Sequence, residues 1–354
     1  MEKLRVGCVG IGGMGNVHLK GYTGDDRVQV VALCDLIPDK MTGAKKNWNL
    51  PDANCYTDFR EMIDRENLDV VDIATPNDFH SIIAVYALDH GCHVFCEKPD
   101  AINVEEALKM KEASERNNKV LMIMRNNRYY GHSVFAKKYI ESGKMGDIYC
   151  GRCGWIRRRG IPGKGGWFTT KAQSGGGPLI DLGVHMIDLS IWLMGNPTPV
   201  AVSGATFCKF ADDDAQSDSV HANFGTKQEN GTFDVEDLAM GLIRFDNGAV
   251  LQIEFSWASN VERETRFVEL RGTKSGLTWE GDSGVTFYSE ENGQLTDLHP
   301  HCTPGDGHVA NLRHFVDVVV DHKAPDFVPI QGVNMIKILQ ALYQSAETGK
   351  EVQL

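Results

Sequence analysis

Between residues 3 and 124, short β-branched and apolar runs alternate with helical segments, the pattern of a parallel sheet joined by crossover helices. The runs predict strands at residues 4–9, 28–34, 70–74, 93–96 and 120–124. Helices fall between them, with Asn103 as N-cap for residues 104–116 and Asp58 for residues 59–65. After a transition helix at residues 133–142 the period shortens to two, giving strands at residues 147–159, 201–210, 237–245, 249–258, 265–271 and 284–288. Asp246-Asn247-Gly248 makes a hairpin turn between two of them, because Asn and Gly tolerate positive φ. Helices at residues 309–321 and 333–348 close the chain, and no fixed-period repeat is visible.

The pattern gives an α/β doubly wound parallel sheet of the Rossmann kind, followed by an α+β domain with a large, mostly antiparallel sheet. The expected boundaries are a dinucleotide-binding domain at residues 1–124 and a substrate-binding and oligomerisation domain at residues 125–354. A broad sheet packed by helices on one face leaves its other face apolar and exposed, which predicts a homodimer or homotetramer formed through that face. Residues 160–177 carry seven glycines in eighteen positions; so few side chains predict a mobile surface loop, placed as a substrate lid.

Of 354 residues, 42% are hydrophobic and 24% charged, which excludes a disordered or collagen-like chain. The balance of 36 basic and 48 acidic residues, net −12, repels phosphate backbones and argues against nucleic-acid and anionic-membrane partners. No run of about 18 apolar residues is present to span a bilayer. Nine scattered cysteines, an odd number, fit reduced thiols and a cytoplasmic protein. Cys150 and Cys153 lie three apart on a predicted strand and point to opposite faces, and Cys92 and Cys96 are separated by a strand, so neither pair chelates an ion. His299, His301, Cys302 and His308 occupy a Pro/Gly loop without the geometry of a metal site. Arg157-Arg158-Arg159 alternates along a strand edge and reads as solvated.

The sharpest motif is Gly10-Ile11-Gly12-Gly13-Met14-Gly15, immediately after the first strand and at the mouth of a helix. Gly10 permits the tight turn, Gly12 close approach of a pyrophosphate, and Gly15 packing of helix on strand, while the helix N-terminus offers N–H groups to the anion. Asp35, 20 residues after Gly15, ends the second strand where a carboxylate accepts from a ribose diol. That carboxylate repels a 2′-phosphate, and Leu36, Ile37 and Pro38 supply no arginine, so NAD is favoured over NADP; Lys40 relaxes the preference.

Chemistry is expected at the carboxyl edge of the sheet, where Cys96-Glu97-Lys98-Pro99 ends a strand and the proline restricts Lys98 to an extended conformation. A helix at residues 178–194 carries Asp181, His185 and Asp188 on one face, beside an apolar stripe of Leu182, Met186, Leu189 and Leu193. An imidazole there suits proton removal from a hydroxyl near neutral pH. Trp167 offers a face for a sugar ring, and Arg128, Tyr129 and Tyr130 follow the last strand of the first domain.

These residues resemble the glucose-fructose oxidoreductase, inositol dehydrogenase and MocA family, Gfo/Idh/MocA, over nearly the whole chain. The likeness comprises Gly10 to Gly15, Ile73-Ala74-Thr75-Pro76-Asn77 with His80, Glu97-Lys98-Pro99, Gly175 to His185, and Val235-Glu236-Asp237. The resemblance implies that Lys98, Asp181 and His185 form the catalytic set. It also implies that Gly10, Gly12, Gly13, Met14, Gly15, Asp35, Thr75, Pro76, Asn77, His80, Glu97 and Lys98 hold the cofactor NAD. Substrate contacts fall to Lys98, Arg128, Tyr129, Trp167, Asp181 and His185, with no metal. The stretch from Gly166 to Lys171 looks most like members acting on pyranosides, levoglucosan dehydrogenase and glycoside 3-dehydrogenases among them. The implied activity is NAD-dependent oxidation of a secondary ring hydroxyl, at carbon 3, of a sugar or glycoside. An NAD-retaining glycosidase working by oxidation and elimination, an inositol dehydrogenase and a non-catalytic dinucleotide-binding regulator are the alternatives.

Overall fold

The computed structural model describes residues 2–211 and 225–354. The chain forms two compact units, one of Met1–Asn126 with Asp306–Val333 and one of Asn127–Gly305 with Asn334–Leu354. Among the described residues no helix is long and apolar enough to cross a membrane.

The first unit is built on a six-stranded parallel sheet, β1 (Leu4–Val9), β2 (Val28–Cys34), β3 (Asn54–Tyr56), β4 (Val70–Ile73), β5 (His93–Cys96) and β6 (Leu121–Ile123), in the order β3-β2-β1-β4-β5-β6. Val6 pairs with Val30 on one side and Val70 on the other, and Val70 pairs with His93. The valines of that row are buried, as expected for strands covered on both faces. The crossovers are α1 (Gly13–Thr23), α2 (Pro38–Asn47), α3 (Phe59–Arg65), α4 (His80–Asp89) and α5 (Val104–Asn117). Asp58 and Asn103 accept from the backbone N–H groups of Arg60 and Glu106, so both expected N-caps are formed. Strand order reverses between β1 and β4, which opens a ligand crevice at their carboxyl ends.

The later segment of this unit carries a helix that packs on α1. A Cβ on Gly21 would stand 2.6 Å from Leu312, Phe95 and Phe315 rings lie 5.2 Å apart, and Arg27 bridges to Asp317 and Asp321.

Among its described residues the second unit holds nine strands, β7 (Ile148–Ile156), β8 (Pro199–Phe207), β9 (Leu238–Phe245), β10 (Val250–Ser256), β11 (Thr265–Gly272), β12 (Gly276–Glu280), β13 (Gly284–Glu291), β14 (Gln294–Leu298) and β15 (Val352–Gln353). Their order is β14-β13-β12-β11-β7-β10-β9-β8-β15, antiparallel except for β7 beside β10. One row runs Val285, Trp279, Val268, Cys153, Ile253, Gly241 and Gly204 across seven strands, its bulky members buried. Helices α6 (Gly131–Glu141), α7 (Lys171–Ser174) and α8 (Val184–Leu193) follow in chain order within this unit, and α8 packs on β7 and β11. After α9 (Gly307–Val320), the later part of α10 (Pro329–Thr348) lays Leu342 against Gly204 and Gly241, where any Cβ would collide.

The opposite face differs from the apolar surface expected. Its central row runs Thr278, Glu269, Arg152, Gln252, Leu242 and Ser203, with Arg152 and Glu269 in an ion pair, and Met240 exposed in the neighbouring row. The strand alternation that directs apolar residues inward directs these outward, and most are polar.

Two further expectations are corrected. The helix expected at residues 178–194 is interrupted by a π-turn, Leu179–Gly183, before α8 begins, so its first turn is wider than ideal α-helical spacing. The glycine-rich loop at residues 160–177 is largely buried, not a surface loop. Its backbone packs against residues 225–234: Gly165 bridges to Thr232, and a Cβ on Gly231 would come 2.0 Å from the Gly165 carbonyl oxygen. Thr169 Oγ1 donates to the Thr232 carbonyl, and Lys171 N donates to Asp234. Absent side chains here permit backbone-to-backbone contact.

Candidate active site

In the first unit, the motif glycines divide by what surrounds them. A Cβ on Gly10 would lie 2.4 Å from the Ala74 carbonyl oxygen and one on Gly15 would lie 2.0 Å from the Gly10 oxygen, so both permit close packing at the β1–β4 crevice. Gly12 and Gly13 face open space instead, at the start of α1, whose first turn has neither a side-chain cap nor an acidic residue. That leaves uncapped N–H groups beside room for an anion. Ile11 and Ile37 donate their backbone N–H groups to the two oxygens of Asp35, 2.8 and 2.9 Å away, and Lys40 Nζ lies 3.5 Å from one of them. Thr75 Oγ1 is buried without a hydrogen-bond partner beyond the end of β4. These features fit an NAD molecule, whose pyrophosphate would be held at Gly12, Gly13 and Met14 and whose adenine-side ribose would be held at Asp35.

His80 is buried with Nδ1 2.8 Å from the Pro99 carbonyl oxygen and Nε2 3.0 Å from that of Thr75, so it ties the turn after β4 to the turn after β5. Burial pushes its pKa down. Pro76 precedes buried Asn77 in the same turn. Lys98 is half-buried and joined to Pro99 by a cis peptide bond, and its N–H donates to Glu97 Oε2 at 3.1 Å. The other Glu97 oxygen bonds His18 Nε2 at 2.9 Å, and His18 Nδ1 bonds Asp72, which also accepts from Tyr22. Burial raises the Glu97 carboxyl, but the His18 hydrogen bond and charge hold it at about 2.

His308, which the sequence grouped with His299, His301 and Cys302, stands on α9 instead, where burial pushes its pKa down. His299 Nδ1 bonds Thr286 Oγ1. Among the described residues no group of three or more His, Cys, Asp or Glu is placed to hold a metal.

In the second unit, Asp181 lies within the π-turn and accepts from Trp257 Nε1 at 3.0 Å. His185 is on α8, its ring 6.0 Å from that of Trp155, which Arg157 and Arg266 flank at 5.0 Å each. The arginine run at residues 157–159 therefore secures loops: Arg157 bonds the Gly160 carbonyl, and Arg159 those of Arg158 and Ser259. Trp167 is half-buried and stacks on Phe168 with centroids 3.8 Å apart. Arg128 is buried and bidentate to Asp188, at 2.8 and 2.7 Å, so its guanidinium fastens the Asn126–Tyr129 turn to α8. Tyr129 is half-buried in that turn.

Sequence reasoning missed His18, Asp72, Trp257 and the anchoring contacts of Glu236. A carboxylate inside the apolar strand Val70–Ile73 was the one local sign of the His18 cluster.

Comparison with known proteins agrees with the two-part architecture. The oxidoreductase family with an NAD-binding Rossmann fold matches residues 4–124, and the C-terminal alpha/beta domain of the same family matches residues 137–354. The chain is 33% identical over 355 residues to D-glucoside 3-dehydrogenase of Escherichia coli K12, covering 99% of this chain and 97% of that protein. It is 30% identical over 290 residues to levoglucosan dehydrogenase of Pseudarthrobacter phenanthrenivorans, covering 79% and 74%. A crystal structure of levoglucosan dehydrogenase with NADH and levoglucosan superposes with a TM-score of 0.85 at 25% identity, over 99% of each chain. The glycine turn, the Glu97-Lys98-Pro99 strand end and the Asp181–His185 turn thus stand in a chain that belongs, over both its domains, to the Gfo/Idh/MocA oxidoreductase family.

Proposed function

We propose that this chain is an NAD-dependent dehydrogenase that oxidises a secondary ring hydroxyl, at carbon 3, of a pyranose or pyranoside. The observation that carries the substrate class is the 33% identity, over 99% of the chain, to a protein named D-glucoside 3-dehydrogenase. NAD supplies the hydride acceptor. Lys98 and His185 are assigned to the hydroxyl whose carbon is oxidised, one of them taking its proton and the other holding its oxygen, with Asp181 orienting the set. The Trp167 indole is assigned to stacking on the sugar, with Tyr129 bordering it. Arg128, two of whose N–H groups go to Asp188, is assigned to holding α8 in place. We assign the protein to the reducing cytoplasm on the strength of nine free thiols, five of them buried.

The test is incubation of glucosides carrying deuterium at carbon 3 with NAD, following NADH absorbance and product mass. The expected result is NADH formation, transfer of the label to the cofactor, and a 3-keto product that keeps its aglycone. Label moving only from carbon 1, activity confined to inositols, or aglycone release without net NADH overturns the assignment.

A further inference from the structure

Asp181 is fixed by contacts from outside its own helix. Trp257, the residue after β10, is fully buried and its indole Nε1 donates to Asp181 Oδ2 at 3.0 Å. The backbone N–H of Trp257 in turn donates to the Asp237 carbonyl at 3.0 Å. One residue earlier, the buried Glu236 carboxylate accepts from Gly177 N at 3.0 Å and Leu179 N at 3.1 Å, the N–H groups at the mouth of the π-turn, and from Tyr343 Oη at 2.9 Å.

The fit leaves no room for this start to move. A Cβ on Gly177 would stand 2.0 Å from the Glu236 carbonyl oxygen, and one on Gly176 would stand 1.9 Å from Tyr343 Oη. The Asp237 side chain accepts from the N–H groups of Lys209 and Phe210, which ties the same dipeptide to the chain leaving β8. Backbone and side chain of Asp181 thus have separate anchors, both reached from residues 236–237.

We propose that Trp257 and Glu236 are positioning residues for Asp181: Glu236 sets where the π-turn begins, and Trp257 selects the rotamer in which the Asp181 carboxylate is held. The proposal rests on the reading of Asp181 as a member of the catalytic set. The Asp181 N–H itself bonds the Gly177 carbonyl at 3.0 Å, so the Glu236 contacts at Gly177 N and Leu179 N set the residues from which the turn's own bonds begin, while those backbone bonds leave the Asp181 rotamer to be set from outside. An error of about 1 Å in aim costs on the order of 10²-fold in rate.

The experiment compares Trp257→Phe with Trp279→Phe, and combines the former with Asp181→Ala. Trp279 is the fitting control: it is as buried as Trp257, in the same unit, and its indole N–H donates to Ser133 Oγ at 2.8 Å. Both substitutions remove one buried hydrogen bond and similar volume, so a merely structural role predicts equal losses of melting temperature and activity. The positioning role predicts that Trp257→Phe alone lowers kcat, by about 10-fold or more, with KM for NAD within about twofold. It also predicts that Trp257→Phe lowers kcat no further once Asp181→Ala is present, since the two act as one unit. Equal effects of the two tryptophan variants, or a Trp257→Phe loss that multiplies fully with Asp181→Ala, overturn it. Where Trp257→Phe does not fold, Glu236→Gln takes its place in the same cycle, its amide accepting at one oxygen only. Normal turnover by Asp181→Ala itself overturns the catalytic reading of Asp181, an outcome distinct from failure of the positioning role in a chain where Asp181→Ala is inactive.

Discussion

His18 Nε2 lies 2.9 Å from Glu97 Oε1, and the other nitrogen of the same fully buried ring bonds both oxygens of Asp72. One imidazolium thus serves two buried carboxylates, and the helix that begins at the glycine motif is pinned to the strand end that carries Lys98.

Burial lowers the pKa of His18, but Asp72 and Glu97 raise it more, to about 10 against 6.5 for a free imidazole. Its stabilising contribution is therefore complete below pH 6.5 and is lost as pH rises through about 10. Glu97 works in the opposite sense: held at about 2 against 4.5, its contribution is complete above pH 4.5 and is lost as pH falls through about 2. The pair together stabilises most between these windows, at about pH 4.5 to 6.5. His18→Gln leaves two buried carboxylates uncompensated and should cost about 3–5 kcal/mol. Urea unfolding at a series of pH values checks this, the variant losing the alkaline decline that the unaltered chain shows. An unchanged decline refutes the assignment to His18.

Arg128 and Asp188 should behave as a structural pair. Arg128→Met strands a buried carboxylate and is expected to cost about 3–5 kcal/mol, whereas Arg128→Met with Asp188→Leu recovers most of that loss. Urea midpoints decide it. A stable Arg128→Met enzyme with a raised KM for the sugar would return Arg128 to the substrate.

How much of this was legible in the sequence depended on whether the deciding partner was near in the chain. The caps at Asp58 and Asn103 were readable because each side chain bonds a backbone N–H two or three residues on. Five strands of the Rossmann sheet were readable as apolar runs, but β3 (Asn54–Tyr56) was not, being a polar, largely exposed edge. The glycines of residues 160–177 were misread because their partners are the backbone of residues 225–234, some 60 positions later, and nothing local distinguishes a bare surface loop from one pressed against another strand. Asp181 and His185 were legible as residues, yet the π-turn and the Trp257 contact were not: the turn has no compositional mark, and the indole is 76 residues away. The helix at 309–321 was visible by periodicity, whereas its packing on α1 depends on Gly21 meeting Leu312.

Cofactor choice should follow Asp35. Its carboxylate, bound to Ile11 N and Ile37 N beside exposed Leu36, places negative charge where a 2′-phosphate would lie, so kcat/KM is expected to favour NAD over NADP. Asp35→Ser with Leu36→Arg should narrow or reverse the preference, and Lys40, already 3.5 Å from Asp35, would join the arginine at the phosphate. Equal use of the two cofactors by the unaltered chain refutes the argument.

Assembly through the open face of the nine-stranded sheet is expected, as a dimer or tetramer. The face combines Met240 and Leu242 with the Arg152–Glu269 pair and Gln252, a mixture suited to an interface carrying hydrogen bonds. Light scattering at micromolar concentration gives the mass, and Met240→Arg with Gln252→Glu should lower it to that of one chain. A monomeric mass for the unaltered protein counts against the expectation.

The catalytic assignment is tested by separating turnover from cofactor binding. Lys98 projects from a strand end whose preceding residue is locked by His18, and His185 from a helix whose start is locked by Glu236, so replacing either side chain by alanine leaves its scaffold in place. His185→Ala and Lys98→Ala should each lower kcat by about 10²-fold or more, the usual effect of losing a positioned acid–base group. NAD affinity, measured by calorimetry, should fall far less for His185→Ala than its turnover does, because the groups assigned to the dinucleotide all lie in the Rossmann unit. Deuterium at carbon 3 then separates the two roles. If His185 takes the proton, its loss moves the pH dependence of kcat and leaves a large isotope effect, while a Lys98→Arg variant that keeps the positive charge recovers part of the rate. Should Lys98→Arg be as inactive as Lys98→Ala while His185→Ala leaves the pH profile unmoved, the lysine takes the proton and the histidine holds the oxygen. Near-normal turnover in both alanine variants would move the chemistry to other residues altogether.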